Sequence, residues 1–179
     1  MRAATAIEVS FGRLDVLVNN AGVKLENIPS PPSQCSIDIV RETYETNVFG
    51  TIEVIQAMLP LLVKSRAGRI VNVSSILGSL TTATTPGSVY RDRFLLSYNT
   101  SKAALNSITI QFANELRNTP IKVNAHNPSL TLTDMTRNEV SLDGARTPEQ
   151  AAVVAVWLAT LPADGPTGAF YGENGVLPW

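Results

Sequence analysis

Three short β-branched runs, each trailed by a long amphipathic stripe, restrict what this chain can fold into more than any other feature. The runs are Asp15-Val16-Leu17-Val18, Ile70-Val71-Asn72-Val73 and Ile121-Lys122-Val123-Asn124-Ala125, all bounded by turn-forming residues. Between the first two, Val40, Tyr44, Val48, Thr51, Ile55, Leu59 and Leu62 recur at spacings of three and four, the period of one helix face. Ser36 suits the N-cap of that helix, and Pro60 should kink or loosen its last turns. Leu105, Ile108, Phe112 and Leu116 form a second stripe before the third run is reached. A third helix reads over 148–161, with Thr147 as N-cap and Pro148 in its first turn, and a short strand, Gly168-Ala169-Phe170-Tyr171, follows. Strand and helix in strict alternation predict an α/β chain with a parallel sheet and right-handed crossovers. That is half of a doubly wound fold.

The opening is unusual for such a fold. Residues 2–10 read as the tail of a helix, with Gly12 just past its end, feeding directly into the first strand. The reading is of one partial domain over 1–179 whose front has been lost. Composition places no further demand on the fold: 44% hydrophobic and 16% charged residues suit one globular domain. A net charge of -1 gives no pull toward nucleic acid or an acidic membrane. One cysteine, Cys35, allows no internal disulfide and fits a reducing cytoplasm, where the chain is expected to reside. With one histidine, His126, a Cys/His metal site is out of reach.

Ligands of open parallel sheets bind beyond the carboxyl ends of the strands. Here the first strand runs into Asn19-Asn20-Ala21-Gly22, the second into Ser74-Ser75, and the third into Asn127-Pro128-Ser129-Leu130-Thr131. Turn chemistry alone accounts for any one of these segments. The helix after the second strand adds a chemical group: Tyr98 and Lys102 stand at i and i+4, on nearly the face that Leu105, Phe112 and Leu116 continue. A neighbouring ammonium favours phenolate, so Tyr98 is expected to have a lowered pKa and to exchange a proton with a carbonyl or hydroxyl oxygen.

These segments carry a resemblance. Asn19-Asn20-Ala21-Gly22, Asn47 in Glu45-Thr46-Asn47-Val48, Ser75 in Val73-Ser74-Ser75-Ile76-Leu77-Gly78, and Tyr98-Asn99-Thr100-Ser101-Lys102 resemble, in order and in element, the short-chain dehydrogenases/reductases. The resemblance runs from about Phe11 to the C-terminus. It implies a Rossmann-like doubly wound sheet and an oxidoreductase that uses NADP or NAD to reduce a ketone or aldehyde, or to oxidise a secondary alcohol. It further implies Tyr98 as the acid or base. Lys102 would hold the nicotinamide ribose, Ser75 would orient the substrate oxygen, and Asn47 would anchor a water relaying protons to Lys102. Asn20 would contact the adenosine side, and Thr131 (through its backbone) and Thr133 the carboxamide. Ser74 is expected to be structural. The implied partners are a small carbonyl or alcohol and a second copy of the chain. That copy would pair through the helices bearing Asn47 and Tyr98, with Ile110 and Ala113 facing outward.

The chain departs from the family pattern in three places. The segment between Ser75 and Tyr98 is longer by roughly ten residues, in the manner of the carbonyl-reductase-like branch, and is expected to line the substrate mouth. The family's Pro-Gly is Pro128-Ser129 here, so a positive backbone angle at Ser129 would be strained and would unsettle Thr131 and Thr133. No Gly-x-x-x-Gly-x-Gly follows a strand. Roughly sixty to seventy residues, two βαβ units' worth, are expected to be missing, and with them the pyrophosphate site and the residues choosing NAD or NADP. The first strand would then lie at an open sheet edge, and the isolated chain would aggregate and fail to bind the cofactor saturably. A different class of function stands beside the enzyme: a non-catalytic fragment retaining only the dimerisation helices.

Overall fold

The computed structural model describes residues 2–26, 31–137, 139 and 141–179. Among the described residues run five strands, β1 (Val16–Asn19), β2 (Arg69–Val73), β3 (Lys122–His126), β4 (Phe170–Gly172) and β5 (Gly175–Leu177). They form one sheet in that order, β1 to β4 parallel and β5 antiparallel to β4. The helices are α1 (Arg2–Phe11), α2 (Ile37–Tyr44), α3 (Thr51–Leu62), α4 (Leu80–Thr84), α5 (Leu96–Glu115) and α6 (Pro148–Ala159). Helix α1 ends at Gly12, whose φ of 72° suits a glycine at a helix terminus.

The alternation of side chains along the strands divides the core into two layers. Ile70 and Val123, paired in register, face one layer with Ile55, Met58 and Leu62 of α3 and Ala113 of α5. Val71 faces the other, where Leu158 of α6 and Leu161 close over it. Helices thus cover both faces, as doubly wound sheets require. Thr147 and Gln150 cap α6 reciprocally, each side chain meeting the other's backbone N–H. At the amino ends of the strands the buried Arg69 guanidinium donates to the carbonyls of Gly68, Pro120, Leu161 and Pro162, tying three connections together.

Three features differ from the sequence-based expectations. The helix over 36–62 is not one rod: Glu45–Gly50 forms a π-helical turn between α2 and α3. The apolar period runs across this bulge, so the sequence pattern does not register it. Pro60 lies inside the last turn of α3, which ends two residues later at Leu62. The β4–β5 hairpin extends the sheet beyond the one final strand expected. Ala113 is also not on an outer face; it is 4% exposed and packs in the core.

Candidate active site

The three strand ends converge on a crevice of about 850 Å³ at the carboxyl side of the sheet, bordered by Asn20, Gly22, Lys102, Ser129, Thr131 and Thr133. A smaller recess of about 170 Å³ adjoins it and shares Tyr98 and Ser129. Ser75 opens onto the recess, with Leu77, Leu95, Leu130 and Met135 as its apolar walls. Tyr90 and Arg93, from the long segment before α5, also line it.

Helix α5 presents Tyr98 and Lys102 to this boundary. Both are buried, and the Lys102 ammonium stands 5.7 Å from the centroid of the Tyr98 ring. Lys102 Nζ donates to the Val73 carbonyl at 2.8 Å, which fixes it at the end of β2. An ammonium has three donors, so others remain for a ligand. The lowered Tyr98 pKa expected from sequence does not hold. Burial is the largest influence and pushes the phenol up; a hydrogen bond with Ser75 pulls it down, and the Glu139 carboxylate raises it. Burial also lowers the Lys102 pKa to about 8. At neutral pH Tyr98 is therefore a protonated phenol, the form of a proton donor.

Ser75 caps the 3-10 turn Ile76–Gly78, accepting from Leu77 N, and Asn127 Oδ1 accepts from Ile76 N at 3.0 Å. The turn lies hard against α5: a Cβ at Gly78 would meet the Lys102 carbonyl carbon at 2.6 Å. The Ser74 hydroxyl is committed to Asn106 Oδ1 at 2.6 Å. Asn47, in the π-helical turn, is 1% exposed, so it is not a solvated helix residue. Its amide accepts from Val23 N and donates to Val23 O and Ser101 Oγ, joining the loop after β1 to α5. Asn20 is exposed on the crevice wall. Asn19, by contrast, is buried and donates to Asn72 Oδ1, while Asn72 donates to Thr109.

Ser129 has φ 62°, the left-handed region that favours glycine. Beyond it, the Thr131 hydroxyl folds back to the carbonyls of Pro128 and Ser129, and the Thr131 carbonyl accepts from Thr136 at 2.6 Å. Thr133 caps the short turn Asp134–Thr136. The loop is thus held by its own threonines despite the substitution.

Several participants carried no sequence signal. Lys24, Glu139 and Arg93 form an ion cluster at the recess, the Arg93–Glu139 contact at 3.6 Å, from loops far apart in the chain. Glu26 is buried against the start of α5. Charged loop residues read as solvated until the fold brings them together.

Comparison with known proteins agrees with this fold. The family described as short chain dehydrogenase matches residues 1–143. Short-chain dehydrogenase/reductase 1 of Saponaria officinalis is 32% identical, over 98% of this chain and 73% of its own length. A 3-oxoacyl-(acyl-carrier-protein) reductase of Thermotoga maritima is also 32% identical, over 93% of this chain and 67% of its own length. Among solved structures, NADPH-bound carbonyl reductase from chicken fatty liver superposes with a TM-score of 0.84 at 28% identity, covering 99% of this chain and 71% of that one. A short chain dehydrogenase of Shigella flexneri complexed with NADP gives 0.80 at 27% identity, covering 97% and 68%. The chain belongs to the short-chain dehydrogenase family, and its relatives are oxidoreductases.

Proposed function

We propose that the protein is an NAD(P)-dependent reductase of small ketones or aldehydes, of the carbonyl-reductase-like kind, working reversibly on secondary alcohols. The observation that carries this reading is the buried, protonated Tyr98 at the junction of a small recess and a larger crevice, with Ser75 on the recess side and Lys102 on the crevice side.

The crevice residues fit the nicotinamide half of a dinucleotide. Lys102 has donors to spare for ribose hydroxyls, and Gly22 keeps the space beside it open, since a Cβ there would stand 3.5 Å from Lys102 Nζ. Asn20 is assigned to the adenosine side, and Thr131 and Thr133 to the carboxamide. The nicotinamide, when bound, supplies or accepts the hydride. All other work falls to the chain's own side chains. Ser75 donates a hydrogen bond to the substrate oxygen and holds it near Tyr98. The Tyr98 hydroxyl gives that oxygen its proton as negative charge develops there. The positive Lys102 stabilises the phenolate left behind, and Asn47 fixes the geometry through Val23 and Ser101.

Substitution of Lys102 by Met separates the roles. Consumption of NADPH or NADH with a panel of ketones should fall, and the affinity for the dinucleotide should weaken as well. Unchanged cofactor affinity in Lys102→Met would remove Lys102 from the ribose.

A further inference from the structure

Helix α5, which bears both Tyr98 and Lys102, has no cap of its own. Its N-cap residue is Leu95, whose side chain offers no acceptor, so the first backbone N–H groups need partners from elsewhere. A carboxylate about seventy residues earlier supplies them. Glu26 accepts from Ser97 N at 3.0 Å with one oxygen and from Tyr98 N at 3.0 Å with the other. These are the second and third N–H groups of the helix, the two that an ordinary N-cap side chain serves. The Ser97 hydroxyl donates to the same carboxylate at 2.6 Å, and Thr43 of α2 in turn donates to Ser97 Oγ at 3.1 Å. Cys35 Sγ completes the ring of donors at 3.4 Å.

We propose that Glu26 is a positioning residue for Tyr98, an N-cap supplied from a distant part of the same chain by the loop that lines the cofactor crevice. Its charge complements the positive end of the helix, and its two oxygens bracket the peptide that carries Tyr98. Glu26 is 5% exposed, so water cannot replace it without opening the loop. The same loop is held a few residues earlier, where Asn47 grips Val23 and reaches Ser101. Two clamps therefore set the spacing between the crevice loop and the first two turns of α5. Asn47 holds the turn below Tyr98; Glu26 holds the peptide of Tyr98 itself. The proposal rests on the reductase reading only for its kinetic consequence, because the capping is a matter of geometry.

The test compares Glu26→Gln and Glu26→Ala with the unaltered 179-residue chain by amide hydrogen exchange and by kinetics. Gln keeps one acceptor oxygen and Ala keeps none. The Ser97 and Tyr98 amides should exchange about tenfold faster in Gln and faster again in Ala, while residues 103–112 keep their protection. With the ketone that the unaltered chain turns over best, kcat per folded molecule should fall in the same order. The Ala variant should lose on the order of 100-fold, as a misplacement of about 1 Å can cause, with KM little changed. Unaltered protection at Ser97 and Tyr98 overturns the proposal, and so does equal loss of protection along all of α5, which would mean a general structural role. A kcat that stays level in both variants overturns the positioning role even if exchange quickens. If the unaltered chain reduces no ketone, the reductase reading fails, and the exchange data alone decide whether Glu26 caps the helix.

Discussion

The Tyr98 phenol and the Lys102 ammonium share one buried wall, and the loss of water acts on both by favouring their neutral forms. For Tyr98 this keeps the proton available for donation; for Lys102 it makes the charge costly. The sign for stability follows. Lys102 titrates at about 8 when folded and at 10.5 as its ordinary value, so between these pH values the unfolded chain binds more protons. The penalty for burying the ammonium is full below pH 8 and is relieved as pH rises toward 10.5. Lys102→Met removes that titration. Measured by urea denaturation, the stability of the unaltered chain relative to Lys102→Met should therefore improve between pH 7 and pH 10 (up to about 3 kcal/mol, at about 1.4 per pKa unit). A difference independent of pH would mean that Lys102 is not buried as a cation. The pairing of Tyr98 and Lys102 at the crevice is legible in sequence because both lie on one helix at a fixed spacing. Glu26 and the Lys24–Glu139 pair are not, since nothing local distinguishes a buried loop charge from a solvated one.

At the scale of elements, close approach and backbone angle matter more than periodicity. The 3-10 turn after β2 touches α5 only because Gly78 has no side chain. Gly78→Ala would force the turn off the helix, carrying Ser75 away from Tyr98. It should destabilise by about 1–3 kcal/mol, the cost typical of overpacking, and lower kcat more than cofactor affinity. Ser129 shows the opposite case, a residue with a side chain where glycine is preferred. Ser129→Gly should raise the unfolding free energy by up to about 1 kcal/mol, the relieved strain less the added freedom of the unfolded chain; a lower Tm would show that the hydrogen bond from Asn127 to the Ser129 hydroxyl outweighs the strain. Strands β1 to β4 and helix α6 could be placed from period and caps to within about two residues; β5 and the start of α5, which lacks a cap of its own, could not. The π-helical turn at Glu45–Gly50 could not, because Val48, Thr51 and Ile55 keep a helical spacing through it. Within it the Asn47 side chain reaches Val23, a contact across 24 residues that no local pattern announces.

Across the whole molecule, the alternation of strands and helices was enough to foresee a parallel sheet with both faces covered, and the ends of its strands located the crevice. What it could not convey is how loops from opposite ends of the chain meet over Tyr98. The sheet has one consequence for handling. Among the described residues β1 pairs only with β2, and Val16 and Val18 are 37% and 43% exposed beside its free edge. An unprotected apolar edge recruits other strands. Val18→Lys should reduce concentration-dependent light scattering without altering the far-UV circular dichroism; equal scattering by both proteins would move the association to another surface. The claim on which everything else depends is that Tyr98 delivers the proton, and it is tested most directly by the rate of ketone reduction in Tyr98→Phe. Loss of the hydroxyl alone, with the ring still packed, should reduce kcat by on the order of 10²–10⁴-fold, the usual contribution of a positioned acid, with dinucleotide affinity retained. A Tyr98→Phe variant that reduces the same ketone at close to the original rate would contradict the account.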